Sequence, residues 1–117
     1  MMSKKVVQVM ILLMVVLFLL PLLAMPGLAA ETTDGVQIFE ANCAGCHANG
    51  GNIMRRGKNL KRQAMEKHGY TSVEAITEIV TNGKGRGMSA FGDRLTAPEI
   101  QAVSKYVLEQ SLVDWKS

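Results

Sequence analysis

Cys43, Cys46 and His47 are the side chains whose types and spacing first suggest chemistry. They stand in the run Cys43-Ala44-Gly45-Cys46-His47, which uses both cysteines and one of the two histidines of this 117-residue chain. Two thiols within one turn of chain can each add across a vinyl group of a haem, and C-x-x-C-H is the signature of that attachment. The histidine directly after the second cysteine is then carried under the iron, where an imidazole nitrogen becomes the proximal ligand. Three rival readings fit less well. A redox dithiol would start a helix after a βαβ strand pattern, and nothing upstream of Cys43 reads as such a strand. A closed zinc site needs four ligands, and His68 is the one further histidine. A plain disulfide leaves His47 without a purpose.

An iron held by His47 has a sixth position, and its occupant separates functions. A methionine thioether is soft, favours ferrous iron and raises the reduction potential, which suits an electron carrier. An open position suits gas binding or catalysis. The candidates are Met54, Met65, Met88 and His68. Met54 follows His47 too closely to reach the opposite face. Met65 and His68 fall on a predicted helix, where Met65 reads as core packing. Met88 sits in Asn82-Gly83-Lys84-Gly85-Arg86-Gly87-Met88-Ser89-Ala90-Phe91, a glycine-rich loop that can press its backbone against a haem edge and aim one side chain at the iron. Met88 is the expected distal ligand. The same loop is not a phosphate cradle, because it lacks the G-x-x-x-x-G-K-[ST] order and no buried strand leads into it.

The elements that must position these residues read as helices separated by glycine-rich turns. Asp34 is placed to cap a first helix with Val36, Phe39 and Cys43 on one face. A shorter helix is expected from about Leu60 to His68, stopped by Gly69. Thr71-Ser72-Val73-Glu74 reads as a capping box, with Val73, Ile76 and Val80 as the apolar stripe and Asn82-Gly83 as the stop. Thr96-Ala97-Pro98-Glu99 repeats that device with a proline in the first turn, and Ile100, Val103 and Val107 form the stripe of the last helix. No alternating strand pattern appears. The predicted class is all-α, with about four short helices around one haem.

Residues 1–30 read as a separate leader: Lys4 and Lys5, an apolar run from Val6 to Leu20, Pro21 and Pro26 as breakers, and small residues at Gly27-Leu28-Ala29-Ala30. This predicts a signal peptide cleaved after Ala29 or Ala30. The competing reading is a retained anchor, because Val6–Met25 is nearly long enough to span a bilayer. Residues 31–117 are then one small domain, of a size that struggles to build its own core. A buried porphyrin would supply an apolar plate for it. Of 13 Lys and Arg against 10 Asp and Glu, the leader takes Lys4 and Lys5, leaving a net charge of about +1, which points to neither nucleic acid nor a membrane surface. Arg55, Arg56, Lys58, Lys61, Arg62 and Lys67 form a local basic cluster, read either as a steering patch for an acidic redox partner or as a solvated helix face. Trp115 reads as a packing residue. No paired carboxylates or nucleophile–base set suggests an enzyme.

Together these segments resemble the class I cytochromes c, and within them the cytochrome c6 family of cyanobacteria and algal plastids. The resemblance rests on the leader, Gly35-x-x-x-Phe39 before the Cys43–His47 run, and Asn82-Gly83-Lys84-Gly85 before Met88. Tyr70–Ile76 and Leu95–Val107 extend it over essentially all of residues 31–117. It implies haem c bound covalently through Cys43 and Cys46, with His47 and Met88 as axial ligands, and Gly35 and Phe39 packed against Tyr106. It also implies a monomeric one-electron carrier, exported to the thylakoid lumen or periplasm. Its implied donor is the cytochrome b6f complex, and its acceptor is photosystem I or a terminal oxidase. Two departures stand out. Ser89 follows the ligand methionine where the family usually has proline, in a stretch one residue longer, which predicts a looser Met88 loop. Ile79 stands where photosystem donors commonly carry glutamine, which resembles a lower-potential side branch of the family. If Met88 did not ligate, or if the leader were retained, the alternatives are a haem-based ligand sensor or a membrane-tethered haem subunit.

Overall fold

The computed structural model describes residues 1–23 and 34–116. They fall in two compact units, residues 1–32 and 33–117. In the first, α1 (Lys4–Leu23) is a 20-residue helix, about 30 Å long at 1.5 Å per residue, with exposed apolar side chains. By length and composition it could cross a membrane, a test that a signal sequence passes equally. The helix includes Pro21 where the sequence suggested a break; the proline has no N–H to give the Leu17 carbonyl, and the helix ends two residues later at Leu23. Pro26, the Gly27–Ala30 stretch and the expected cleavage points after Ala29 or Ala30 lie outside the described residues.

The second unit is helical, and its described residues form no extended strand, only the isolated bridge between Lys84 and Met88. It comprises α2 (Gly35–Asn42), the single turn α3 (Ala44–His47), α4 (Arg62–His68), α5 (Val73–Asn82) and α6 (Ala97–Leu112), with 3-10 turns at Ala48–Gly50 and Arg56–Lys58. Asp34 caps α2 by accepting from the Val36 N–H at 3.0 Å. Thr96 and Glu99 form the expected reciprocal capping box at the start of α6, and a cap of this kind stabilises by about 1 kcal/mol. At α5 the cap is Ser72, not Thr71. Its hydroxyl accepts from the Ala75 N–H at 3.1 Å, so Glu74 is a first-turn acid suited to the helix dipole and not the far half of a box. Helix α4 begins at Arg62, because Leu60 is drawn into a turn whose N–H bonds the Gly50 carbonyl at 2.7 Å.

Phe39, Met65, Ile76, Val80, Phe91, Ile100, Val103 and Val107 form the core. The predicted stripes of α5 and α6 supply five of these. The α2 stripe is narrower than expected: Phe39 is buried and Cys43 packs on the core, but Val36 remains 45% exposed. Helix α2 crosses α6 closely, with Gly35 against Ala102 and Tyr106, and the Phe39 and Tyr106 rings meet edge to face at 5.4 Å. This is the packing that the resemblance implied.

Candidate functional site

The Cys43–His47 run lies where α2 hands over to α3. Cys43 ends α2 by donating its N–H to the Phe39 carbonyl at 2.8 Å, and its own carbonyl accepts from Cys46 and His47 at 3.1 and 2.9 Å. One helical turn thereby groups both thiols and the imidazole. Cys43 is half-buried and Cys46 exposed. Burial pushes the Cys43 thiol up to about 11, so it is protonated at neutral pH. A redox dithiol needs the opposite, a thiol lowered toward neutrality. Among the described residues no group of three His, Cys, Asp or Glu side chains converges as a metal site.

After His47 the chain reverses through two left-handed residues, Asn49 (φ 53°) and Gly50 (φ 72°), types that tolerate this conformation. The reversal returns the Gly51 carbonyl to His47, whose Nδ1–H donates to it at 2.8 Å. A carbonyl only accepts, so Nδ1 carries the hydrogen and Nε2 is the nitrogen left to face a ligand. Metal-ligating histidines are oriented in this way. The turn is braced from the far end of the chain. A Cβ on Gly50 would run into the Trp115 ring. Trp115 packs on Phe39 at 4.9 Å and Tyr106 at 5.8 Å, and its Nε1–H donates to the Leu60 carbonyl at 2.9 Å. Trp115 itself holds φ at 58°, a strained value for a bulky residue that this packing and hydrogen bond sustain.

Met88 is held by local backbone. The Lys84 N–H donates to the Met88 carbonyl at 2.9 Å, and the Gly87 N–H to the Lys84 carbonyl at 3.0 Å. Gly83, at φ 67°, has the Met88 carbonyl oxygen 2.6 Å from where a Cβ would stand. Downstream, Phe91 and Gly92 donate to Val80 and Thr81 of α5 at 2.9 and 3.1 Å, and Phe91 is buried. Ser89 therefore stands between two backbone-bonded segments, the Lys84–Met88 turn and the Phe91–Gly92 stretch.

These two pieces of chain meet at one cleft, lined by Cys43, His47 and Met88 together with apolar walls from Phe39, Ile76, Ile79, Val80, Val103 and Val107. It encloses about 1070 Å³ of space, part of it open to solvent. Of the other ligand candidates, Met65 also lines the cleft, but it is 4% exposed and packs as part of the core. His68 reaches the cleft but is exposed, with Nε2–H donating to Gly57 at 3.4 Å. Met54 is 69% exposed and does not line the cleft. The basic cluster divides. Arg55 and Lys58 line the cleft, whereas Arg62 binds Glu66 at 2.8 Å and is held further toward its charged form by that hydrogen bond. Lys84 joins the cleft from the Met88 loop. The sequence did not reveal the Gly51 carbonyl, the Trp115 brace or this Arg55–Lys84 convergence. Asn49-Gly50-Gly51 carried a turn signal, but nothing local marked the other two.

The residues fit a haem. An apolar cleft takes the macrocycle, two thiols lie within one turn, an imidazole is oriented through its other nitrogen, and a thioether reaches the same cleft. Comparison with known proteins agrees. Residues 30–107 match the family model described as cytochrome c oxidase, cbb3-type, subunit III. A cytochrome c6-like protein of Nostoc sp. strain PCC 7120 is 54% identical over 100 residues, covering 86% of this chain and 89% of the relative. The crystal structure of cytochrome c6C from Synechococcus sp. PCC 7002 is 72% identical with a TM-score of 0.67, covering 69% of this chain and 98% of that one. Cytochrome c6B from Synechococcus sp. WH8102 gives 44% identity and a TM-score of 0.69, covering 74% and 97%. Together with the helical fold and a cleft whose residues fit a haem, these matches show that the chain belongs to the cytochrome c6 family, electron carriers with a covalently bound c-type haem.

Proposed function

We propose that residues 31–117 form a diffusible one-electron carrier whose single haem is linked through Cys43 and Cys46, with His47 and Met88 as axial ligands. The observation that carries this reading is the convergence of Met88 and His47 on one apolar cleft. The haem supplies a ferric–ferrous couple; the protein's own residues decide how that couple is used. Cys43 and Cys46 fix the plate to the chain. The Gly51 carbonyl, by accepting from the Nδ1 hydrogen of His47, orients the ring so that Nε2 is the nitrogen offered to the iron. Met88 offers a soft donor that favours the reduced state and fills the position a gas would need. The apolar walls exclude water and keep the local dielectric low, so that a change of one charge is felt strongly.

The leader is a signal peptide removed after Ala29 or Ala30, which places the carrier in the thylakoid lumen or periplasm, between the cytochrome b6f complex as donor and photosystem I or a terminal oxidase as acceptor. The composition of α1 supports export, and Ile79 in the cleft wall supports a potential at the lower end of the family, because an apolar neighbour offers no hydrogen bond or dipole to the haem.

The test is the spectrum of the purified mature protein with and without the thioether. The native ferrous protein is expected to be low-spin and indifferent to carbon monoxide, and Met88→Ala to bind carbon monoxide readily. A native protein that already binds the gas, with Met88→Ala unchanged from it, overturns the ligand assignment. N-terminal sequencing of the native protein beginning near Glu31 establishes cleavage; an intact Met1 segment contradicts it.

A further inference from the structure

The shape of the Met88 loop is set by its own backbone, but a different restraint holds the loop closed on the cleft. Among the described residues, every backbone hydrogen bond made from Lys84 to Ala90 stays inside that segment, between Lys84 and Met88 and between Gly87 and Lys84. One side-chain bond leaves it: Lys84 Nζ lies 3.4 Å from the Tyr70 hydroxyl. An ammonium has donors only, so Lys84 donates and the Tyr70 oxygen accepts. Both side chains line the cleft. Tyr70 is the anchored partner. The left-handed Gly69 closes α4, the Tyr70 N–H donates to the Met65 carbonyl at 2.9 Å, and the half-buried ring packs on the core. Lys84, by contrast, is exposed and stands between Gly83 and Gly85, both at positive φ, where the backbone turns most easily.

Tyr70 precedes α5 and Lys84 follows it, and α5 supplies Ile76, Ile79 and Val80 to the cleft wall. Their bond therefore joins the two ends of that wall and fastens the exposed end to the packed one. We propose that Tyr70 is a positioning residue for the sixth ligand: by accepting from Lys84 it latches the Met88 loop to the end of α4, and so sets how readily the thioether yields the iron to a small neutral base. The proposal rests on Met88 as axial ligand. A bond internal to the loop moves with the loop and does not hold it down. The bond to Tyr70 must break before the loop swings away. The competing use of Lys84 is to pair its ammonium with a haem carboxylate, which leaves the phenol idle.

The experiment titrates the mature ferric holoprotein with imidazole and follows loss of the methionine–iron absorption band. Tyr70→Phe keeps the ring and removes the acceptor, while Lys84→Met keeps an unbranched side chain and removes the donor. Each is expected to bind imidazole roughly three- to tenfold more tightly than the native protein, the net worth of one hydrogen bond. The double variant binds no more tightly than the single ones, because both remove the same contact. Asp34→Ala takes the cap from α2, outside the cleft lining. It lowers stability to denaturant and leaves imidazole affinity native. Native affinity in Tyr70→Phe overturns the latch, and so do single effects that add in the double variant. An equal gain in Asp34→Ala overturns it in favour of a general loosening of the domain. A shifted midpoint potential in Lys84→Met, with Tyr70→Phe native in both affinity and potential, overturns it in favour of the haem carboxylate. Absence of the methionine–iron band from the native protein overturns the ligation itself, and this is read before any variant is compared.

Discussion

His47 and Met88 line the same cleft, yet the chain secures them by different means. The His47 ring is oriented locally by Gly51, but its turn is braced from a distance: Leu60 holds Gly50, and Trp115 packs against Gly50 while donating to Leu60. The Met88 loop depends on its own neighbours, through the Lys84–Met88 bridge and the left-handed Gly83. A brace built from long-range packing couples the proximal side to the stability of the whole domain. One built from a short backbone loop can be altered with little effect beyond the ligand it presents. Damage to the first should therefore appear in unfolding, and damage to the second in ligation.

Trp115→Ala should give the largest effect. Removing a half-buried aromatic from the Phe39–Tyr106 cluster is expected to destabilise the holoprotein by about 3 kcal/mol, near the lower bound for such truncations, as measured by denaturant unfolding. The methionine–iron absorption band should survive at neutral pH. Loss of that band with stability unchanged would reverse the comparison. Gly83→Ala comes next. A side chain at positive φ costs on the order of 1–2 kcal/mol, and here it also meets the Met88 carbonyl. The expected loss is about 2 kcal/mol, now with carbon monoxide binding to the ferrous protein. A variant that stays closed to the gas would show that Gly83 does not set the position of Met88. Ile79→Gln is the mildest. An amide dipole turned toward the haem should stabilise the electron-rich reduced state by roughly 0.5–1.5 kcal/mol, the range of one hydrogen bond. That raises the midpoint potential by a few tens of millivolts, with ligation intact on both sides. An unchanged potential in a redox titration would remove Ile79 as a determinant.

Much of the fold was legible because its signals are local. The caps at Asp34 and Thr96, the apolar stripes of α5 and α6, and the Gly69 and Gly83 stops all act within one or two turns, where spacing translates directly into geometry. The differences arose where another contact, near or far, outweighed the first local signal. Leu60 satisfies the helix pattern but is taken by Gly50 and Trp115, so α4 starts later. Thr71 satisfies the capping-box pattern, but Ser72 lies one residue nearer to the helix and takes the role. After Ser89, Phe91 and Gly92 are tied to Val80 and Thr81 of α5, which the local sequence did not announce.

The amino-acid sequence by itself determined the haem attachment motif, the all-helical class and Met88 as the favoured thioether, because each is a matter of residue type and short spacing. Only the tertiary structure brought Met88 to the cleft of His47, gave the His47 turn its Trp115 brace, and divided the basic run. Within that run the Arg62–Glu66 pair is a local contact along α4, whereas the fold sets Arg55 beside the Lys84–Met88 loop. The physical reason is one of range. Dihedral preferences and capping bonds extend over a few residues, whereas shared burial and electrostatic potential depend on which surfaces the packed helices bring together.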